Sequence, residues 1–504
     1  MKQYFMGIDS GGTITKAAIY DQNGTEMAVA SISTNILTPF MGHTERDMDE
    51  LWDVSAKVIK RAIQKSQINP KDIKAVACTG HGKGLYLWGK DGKPARNGII
   101  STDSRAKRYV AKWYQDGTAN KVFEKTIQEI LVSQPCALLA WVKDHEPEIY
   151  KNIQWIFEAK DYIRFKLTGN AYGELTDFSG TNLVNMYTRN YDDLLLELFG
   201  IKEIKPCLPP LISSLDLCGT ISTNVAKQTG LEEGTIVAGG MFDIDACAIA
   251  SGIIDEQNIC AIAGTWSINE YIAREPVTNK SIAMNSIFCI PGYYLLEESS
   301  PTSAGNLEWF VKSVLDCDLE KARLAGENIY HQLDRMVETV QPEDCNIIFL
   351  PFLYGSPENS NAKGSLIGLT SYHTKAHIVR SIFEGIVFSH YNHIRKLLAN
   401  RNMPNCIRLA GGAANSKVWV QIFADVCQIP IMTVPVKELG TLGCAINAAV
   451  TANVYSDFTQ AVQQMVPQGI RVNPDPTKKS IYHKKFETYL AISDVLDSIW
   501  VKYI

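Results

Sequence analysis

An α/β fold in two large domains is what this chain predicts, and three observations carry it. Strand-like and helix-like runs alternate along most of the length. A strand, small-residue loop, strand unit at 4–24 returns at 259–273, about half the chain later, which internal duplication explains most economically. The chain has 504 residues, more than one core sustains. Together these put a domain boundary near 246–252, with domains over 1–246 and 247–504.

The totals exclude several classes. The composition, 46% hydrophobic and 20% charged, is that of a globular protein. A formal net charge of −5 with no block of like charge argues against nucleic acid and for a small-molecule ligand. The 12 Cys include no C-x-x-C pair and read as buried, reduced thiols of a cytosolic protein. No charged leader precedes the first strand and no run of about 18 apolar residues occurs, so neither export nor a membrane span is expected.

The elements follow in order. A buried strand over 4–8 leads to the tight loop Asp9-Ser10-Gly11-Gly12-Thr13, an extended run over 15–20 and turn residues over 21–24. Glycines in such a loop let backbone N–H groups face an anion, and Asp9 is placed to hold an accompanying metal. An ordinary hairpin turn fits the same letters. Asp47 or Asp49 caps a helix in which Leu51, Val54, Val58, Ile59 and Ala62 recur at helical spacing. A strand over 73–78 runs into a second Gly-rich loop, Thr79-Gly80-His81-Gly82-Lys83-Gly84, and a strand over 85–88. Asp103 and Arg105 precede a helix over 106–113. The region 124–219 reads as mostly helical, with helices over 135–143 and 161–167 and a breaker at Cys207-Leu208-Pro209-Pro210. A strand over 235–238 then feeds Gly239-Gly240-Met241-Phe242-Asp243 and an Ala-rich helix.

In the second half, a strand over 259–263, the loop Gly264-Thr265-Trp266-Ser267 and a strand over 268–273 echo the opening. An apolar run over 347–353 precedes a long helix over 375–398 that turns Ile378, Ile382, Ile386 and 388–391 to the core. A strand over 407–410 feeds Gly411-Gly412-Ala413-Ala414-Asn415 and a helix over 417–426. A strand over 431–434, a small-residue helix over 440–452 and a helical tail over 477–504, packed back on the body, complete the chain.

Loops 9–13, 81–84, 240–245 and 264–266 are candidates to meet in one cleft, with 411–415 as a fifth. Strand ends followed by Gly-rich turns are where α/β folds bind phosphates. No Walker A loop or protein-kinase signature is present. Asp243 ends a strand and opens a helix. That place suits an N-cap, and it suits the general base that phosphoryl transfer to a hydroxyl needs, kept ionised by the helix N-terminus. Asp103 reads as part of a solvated turn or as an acceptor for sugar hydroxyls, and Lys83 as a surface lysine or a donor to a sugar. Gly411-Gly412 ends a strand or offers a flat purine a backbone free of side chains. His373 and His377 have the spacing of two zinc ligands, but Thr374 stands where the metalloprotease motif needs Glu and reads better as a helix cap. His390 and His393 read as ordinary helix residues.

Taken together, these residues resemble the FGGY family of carbohydrate kinases. The most specific stretch is Gly364-Ser365-Leu366-Ile367-Gly368-Leu369, then seven residues, then His377-Ile378-Val379-Arg380-Ser381-Ile382-Phe383-Glu384. It matches the family's C-terminal signature, and the resemblance runs from Tyr4 to about Ala452. Segments such as Glu45-Arg46-Asp47-Met48 and Gly82-Lys83-Gly84-Leu85 narrow it to one branch. The resemblance implies two ribonuclease-H/actin-like ATPase domains around a central cleft, ATP and Mg²⁺ as cofactors, a homodimer and a cytoplasmic location. It implies a small sugar substrate held on the first domain and ATP on the second. L-xylulose stands before other ketopentoses, keto-sugar acids and polyols.

Residue by residue, it implies that Asp243 is the catalytic base and lies at the metal, with Asp9 the carboxylate near Mg²⁺. Gly12 and Thr13 match the first phosphate loop, Gly264 and Thr265 the second, and Gly411, Gly412 and Asn415 the adenosine pocket. His81, Lys83, Asp103 and Asp243 fall on the substrate side. The chain departs from the pattern at Gly12, where many relatives carry Thr, and at Trp266, which replaces a common Ser. Lys83 stands where D-xylulose kinases have His and glycerol kinases Glu. A chaperone or filament protein on the same ATPase fold is the rival of another class, and the region after Ala452 is too short for the extension it would need.

Overall fold

The computed structural model describes residues 2–503, so Ile504 of the expected tail lies outside the described residues. Two mixed sheets dominate it. In the first half, β1 (Tyr4–Ser10), β2 (Ile14–Asp21) and β3 (Glu26–Ser33) form an antiparallel meander. With β4 (Ile73–Gly80), β5 (Leu217–Thr220) and β6 (Ile236–Ala238) the order is β5-β6-β4-β1-β2-β3, with β4 parallel to β1 and to β6. β1 is central and covered on both faces, which is why it reads as a continuous apolar run rather than an alternating one.

The second half contributes β7 (Ile259–Ala263), β8 (Ser267–Ala273), β9 (Met284–Ile287), β10 (Tyr294–Ser300), β11 (Ile407–Gly411), β12 (Ile431–Thr433) and β13 (Arg471–Val472). Their order is β9-β10-β8-β7-β11-β12-β13. The antiparallel trio β3-β2-β1 beside parallel β4 is thus matched by β10-β8-β7 beside parallel β11. The repeat is one of topology as well as of sequence.

Helix α1 (Met48–Ser66) starts at Asp47, whose side chain accepts from the Asp49 and Glu50 N–H groups, and covers β2 and β3. The other helices used below are α2 (Asp243–Ala250), α3 (Ala304–Ser313), α4 (Lys375–Leu398), α5 (Lys417–Cys427), α6 (Leu439–Thr451) and α7 (Lys479–Tyr503).

α2 and α6 pack on each other between the sheets, and α6 also lies on β1 and β4. The approach is close enough that a Cβ on Gly7 would sit 1.9 Å from the Thr441 carbonyl oxygen. The shared core joins Phe5, Ala18 and Ala75 to Ile262, Ala410, Leu442 and Ala445. The halves therefore interlock, because the apolar face of the first sheet is covered by a helix from far along the chain. The stretch 246–252 lies inside α2 and the turn after it.

The region 124–219, expected to be mostly helical, also holds two-residue strands, and its helix Pro135–His145 packs with the preceding helices Lys107–Gln115 and Thr118–Thr126 in a separate core around Leu138, Leu139 and Phe199. The tail helix α7 buries Tyr482, Phe486 and Tyr489 and leaves Val495 and Val501 exposed. The family-signature stretch has a structural task. Arg380 donates to Glu384, to the Val337 and Val340 carbonyls and to the Tyr482 hydroxyl, and Lys485 pairs with Glu384, tying α4 to α7. The reading of Thr374 as a helix cap, rather than of His373 and His377 as zinc ligands, fits their hydrogen bonds. The Nδ1 atoms of His373 and His377 accept from the Thr370 and Thr374 N–H groups, and Thr374 caps α4. Among the described residues no group of three or more His, Cys, Asp or Glu could hold a metal, and no helix is long and apolar enough to cross a membrane. All 12 thiols are unpaired. Cys317 is exposed, against the expectation of burial throughout.

Candidate active site

Asp243 is the first residue of α2, and the N-cap position belongs to Phe242. Its carboxylate meets the Ile244 backbone N–H and, among the described residues, pairs with no other side chain. Desolvation drives its pKa well above the ordinary carboxylate value, reinforced by Asp9, Asp177 and Glu297, and the Ile244 N–H opposes this weakly. The Ile244 N–H at the helix N-terminus lowers the Asp243 pKa, in the direction expected of it, while burial and the three neighbouring acids raise it by more. Such a carboxylate holds a proton avidly, as a base for a hydroxyl should.

Asp9 ends β1 and lies against the first turn of α6, where a Cβ on Gly440 would come 2.6 Å from its Oδ2. Burial pushes its pKa up to about 6, with Lys16 opposing and Glu438 adding. Asp9 and Asp243 are too few to hold a metal by protein ligands alone. Two carboxylates do suit an ion of the Mg²⁺ kind, which keeps water and takes phosphate oxygens as further ligands.

The loops predicted to bind phosphate follow β1 in one sheet and β7 and β11 in the other. Gly12 is half-buried with open space where a Cβ would stand, and Thr13 is exposed. On the other side, Gly264, Thr265, Gly412 and Asn415 line one cavity of about 370 Å³ together with Gly305, Glu308, Asp334 and Trp419. Gly411 turns the chain into it at φ +86°, with the Ala263 carbonyl oxygen 2.6 Å from where a Cβ would sit.

On the substrate side the structure divides the candidates. Lys83 is half-buried at φ +63°, and its ammonium has no hydrogen-bond or ion-pair partner among the described residues. Its charge is felt by buried Glu158, whose two carboxylate oxygens lack hydrogen bonds. Both ring nitrogens of His81, expected on the substrate side, meet protein groups. His81 is buried, its Nδ1 can only donate to the Gly82 carbonyl at 3.3 Å, and its Nε2 therefore accepts from the Tyr86 hydroxyl at 2.8 Å. Burial, with nearby Arg46, lowers its pKa to about 4, so the ring is neutral. Asp103, also expected on the substrate side, is likewise occupied. Its Oδ1 accepts from the Arg105 N and Nε at 2.9 Å each, and its Oδ2 from the Thr44 N at 2.7 Å and the Arg105 Nη2 at 2.9 Å. With four donors on two oxygens it braces the loop instead of offering an acceptor.

Several residues near the site escaped sequence reasoning. Asp177 sits under Gly82 and Phe242, ion-paired to fully buried Lys160 at 3.3 Å, and burial lifts its pKa to about 7. Glu297 comes from β10. His390 is fully buried behind the second loop, where its Nδ1 lies 2.9 Å from Asn269 Oδ1 and 3.0 Å from Ser267 Oγ, and its Nε2 lies 2.8 Å from Ser303 Oγ. His393 meets Ser300 and Glu298. Neither is an ordinary helix residue. An excess of Ser, Thr and Asn at 267–269 and 299–303 was the available signal.

Comparison with known proteins gives the family. Residues 4–250 match the N-terminal domain of the FGGY family of carbohydrate kinases, and residues 259–452 match its C-terminal domain. The chain is 36% identical over 490 residues to the L-xylulose/3-keto-L-gulonate kinase of Escherichia coli K12, covering 97% of this chain and 96% of that protein. It is 26% identical over 497 residues to the xylulose kinase of Bacillus subtilis, covering 97% and 96%. Among solved structures, a gluconate kinase from Lactobacillus acidophilus superposes with a TM-score of 0.90 at 26% identity, covering 100% of both chains.

Proposed function

The chain belongs to the FGGY family of carbohydrate kinases and phosphorylates a sugar with ATP, and on that premise we propose that its substrate is L-xylulose, phosphorylated at O5. The observation that carries the mechanism is the Asp243 carboxylate, free of side-chain partners and held basic by burial and by Asp9, Asp177 and Glu297. Phosphoryl transfer asks little covalent chemistry of a protein, but it needs the acceptor hydroxyl oriented and its proton received. Asp243 takes that proton. The N–H groups of 11–13 and 264–265 hold the phosphates from two sides, and the cavity at Asn415 and Trp419 takes the adenosine. Mg²⁺, held by Asp9 and Asp243, would supply charge neutralisation at the phosphates. Sugar lies mainly on the first domain and nucleotide on the second, and closing the cleft excludes the water that would compete as acceptor. A homodimer and a cytoplasmic location complete this reading.

Likeness to the E. coli protein supports L-xylulose, and one observation favours a second substrate. An unpaired, half-buried Lys83 ammonium suits a carboxylate, so a keto-sugar acid such as 3-keto-L-gulonate is the alternative. The test is ADP release with MgATP against ketoses, polyols and keto-acids, beside a control without sugar. L-xylulose is expected to stimulate most, and stimulation by another compound alone would discard that choice of sugar. Lys83→Met separates the two readings, since it should raise the KM of a keto-acid about tenfold more than that of a neutral ketose.

A further inference from the structure

Arg46 is buried beneath the first Gly-rich loop. It belongs to a two-residue strand, Glu45–Arg46, paired with Gly98–Ile99, immediately before the cap of α1. Its side chain is fully buried, a rare state for an arginine. It runs under the first Gly-rich loop and donates from Nη2 to the Gly11 carbonyl at 3.0 Å and to the Gly12 carbonyl. Its Nε and Nη1 find no acceptor.

The neighbouring acids are occupied elsewhere. Glu45 pairs with Arg96 and Arg105, and Asp47 caps α1. The charge of Arg46 is thus left without a carboxylate partner beneath the loop. It reaches His81, where it helps burial keep the imidazole neutral.

The geometry of the trans peptide gives this contact a consequence. In each peptide plane the C=O of one residue and the N–H of the next point in opposite directions. Holding the carbonyls of Gly11 and Gly12 down toward Arg46 turns the N–H groups of Gly12 and Thr13 the other way. That is the open side, where Gly12 has free space and Thr13 is exposed. Two N–H groups aimed one way over a buried cation make an anion cradle.

We infer that Arg46 is the positioning residue of the first phosphate loop, an assignment that rests on reading residues 11–13 as that loop. It presents the Gly12 and Thr13 N–H groups to the polyphosphate and adds an uncompensated positive charge behind them, without touching the nucleotide. Its effect is confined to the phosphates and does not extend to the adenosine.

The test is titration calorimetry on the full chain with two probes, the magnesium complex of a non-hydrolysable ATP analogue and adenosine. Arg46→Gln is expected to weaken the triphosphate about 10- to 100-fold and to leave adenosine unchanged. Arg46→Lys should recover part of the loss, because it restores the charge but not the two-carbonyl fork. If Arg46→Gln fails to fold, Arg46→Lys decides alone, with triphosphate binding several-fold weaker and adenosine unchanged as the expected result. Unchanged triphosphate affinity in the folded variants, or a parallel loss of both probes, overturns the role. Gly12→Pro removes one of the N–H groups and leaves Arg46 in place. If it lowers triphosphate affinity while the Arg46 variants do not, the loop reading stands and the role of Arg46 falls. If Gly12→Pro also binds as the unsubstituted chain does, the loop reading itself falls.

Discussion

The loops that follow β1 and β7 are copies of one plan held up in different ways. Both join an antiparallel pair beside a parallel strand. Behind residues 11–13 stands a buried guanidinium bonded to loop carbonyls. Behind residues 264–266 stands an imidazole made neutral by burial, its pKa lowered to about 3. His390 donates from Nδ1 toward Asn269 Oδ1 and accepts the Ser303 hydroxyl on Nε2, so it ties the strand leaving the second loop to the start of α3. Duplication preserved the backbone path, while each copy drew its support from whatever the surrounding chain brought near. One loop is braced by charge and the other by shape.

Asp243, the proposed base, gives the largest expected effect on loss. Asp243→Asn should lower turnover by about 10³-fold or more, measured as sugar-dependent ADP release, with nucleotide binding retained. Thermal melting should be no worse, because a carboxyl crowded by Asp9, Asp177 and Glu297 costs stability. Near-normal turnover would remove Asp243 from the role of base.

The second loop offers the next test. His390→Ala leaves Ser303 and Asn269 without their buried partner, and should cost about 1–3 kcal/mol in denaturant unfolding while raising the KM for ATP. His390→Gln keeps part of the bonding and should lie between. A KM unchanged in both would mean that the second loop needs no brace, and the comparison with Arg46 would lose one side.

The smallest effect is a pH slope, and it separates a neutral brace from a charged one. The folded His390 value of about 3 lies below the ordinary value of about 6.5, so between them the unfolded chain binds more protons. This stability is complete above about pH 6.5 and is lost as pH falls toward 3, by up to about 1.4 kcal/mol per unit. His81, held near 4, adds a similar slope. Asp9 and Asp177, held near 6 and 7, act in the opposite sense. The readout is therefore the difference between the unsubstituted chain and His390→Gln, measured by urea unfolding at pH 7 and pH 5. The variant should lose less stability on acidification, and equal losses would mean that His390 titrates alike in the folded and unfolded chain.

Much of this was legible in the letters. Gly-rich runs at 11–12, 264 and 411–412 are strand-end loops because small residues there permit tight backbone paths. Thr374 capped its helix as its place before an apolar run suggested. Asp103 and His81 were legible as polar residues near a site but not as saturated ones, since their partners Thr44, Arg105 and Tyr86 come together only on folding. Arg46 and His390 looked ordinary for the same reason: nothing local says that a strand arginine will lie under a loop 34 residues earlier, or that a helix histidine will meet a serine 123 residues away.

What the sequence determined by itself is the set of short-range features. These are the alternation of strands and helices, the duplicated loop plan and the acid at the head of α2, all written in periods and turns a few residues long. What only the tertiary structure decided is how those groups behave. Whether Asp243 holds a proton depends on Asp9, Asp177 and Glu297, brought from three other elements, and on the water that packing removes. Whether the first sheet is closed depends on α6, from the far end of the chain. Burial and electrostatic neighbourhood are sums over space, and the order of residues along a chain does not contain them until the chain has folded.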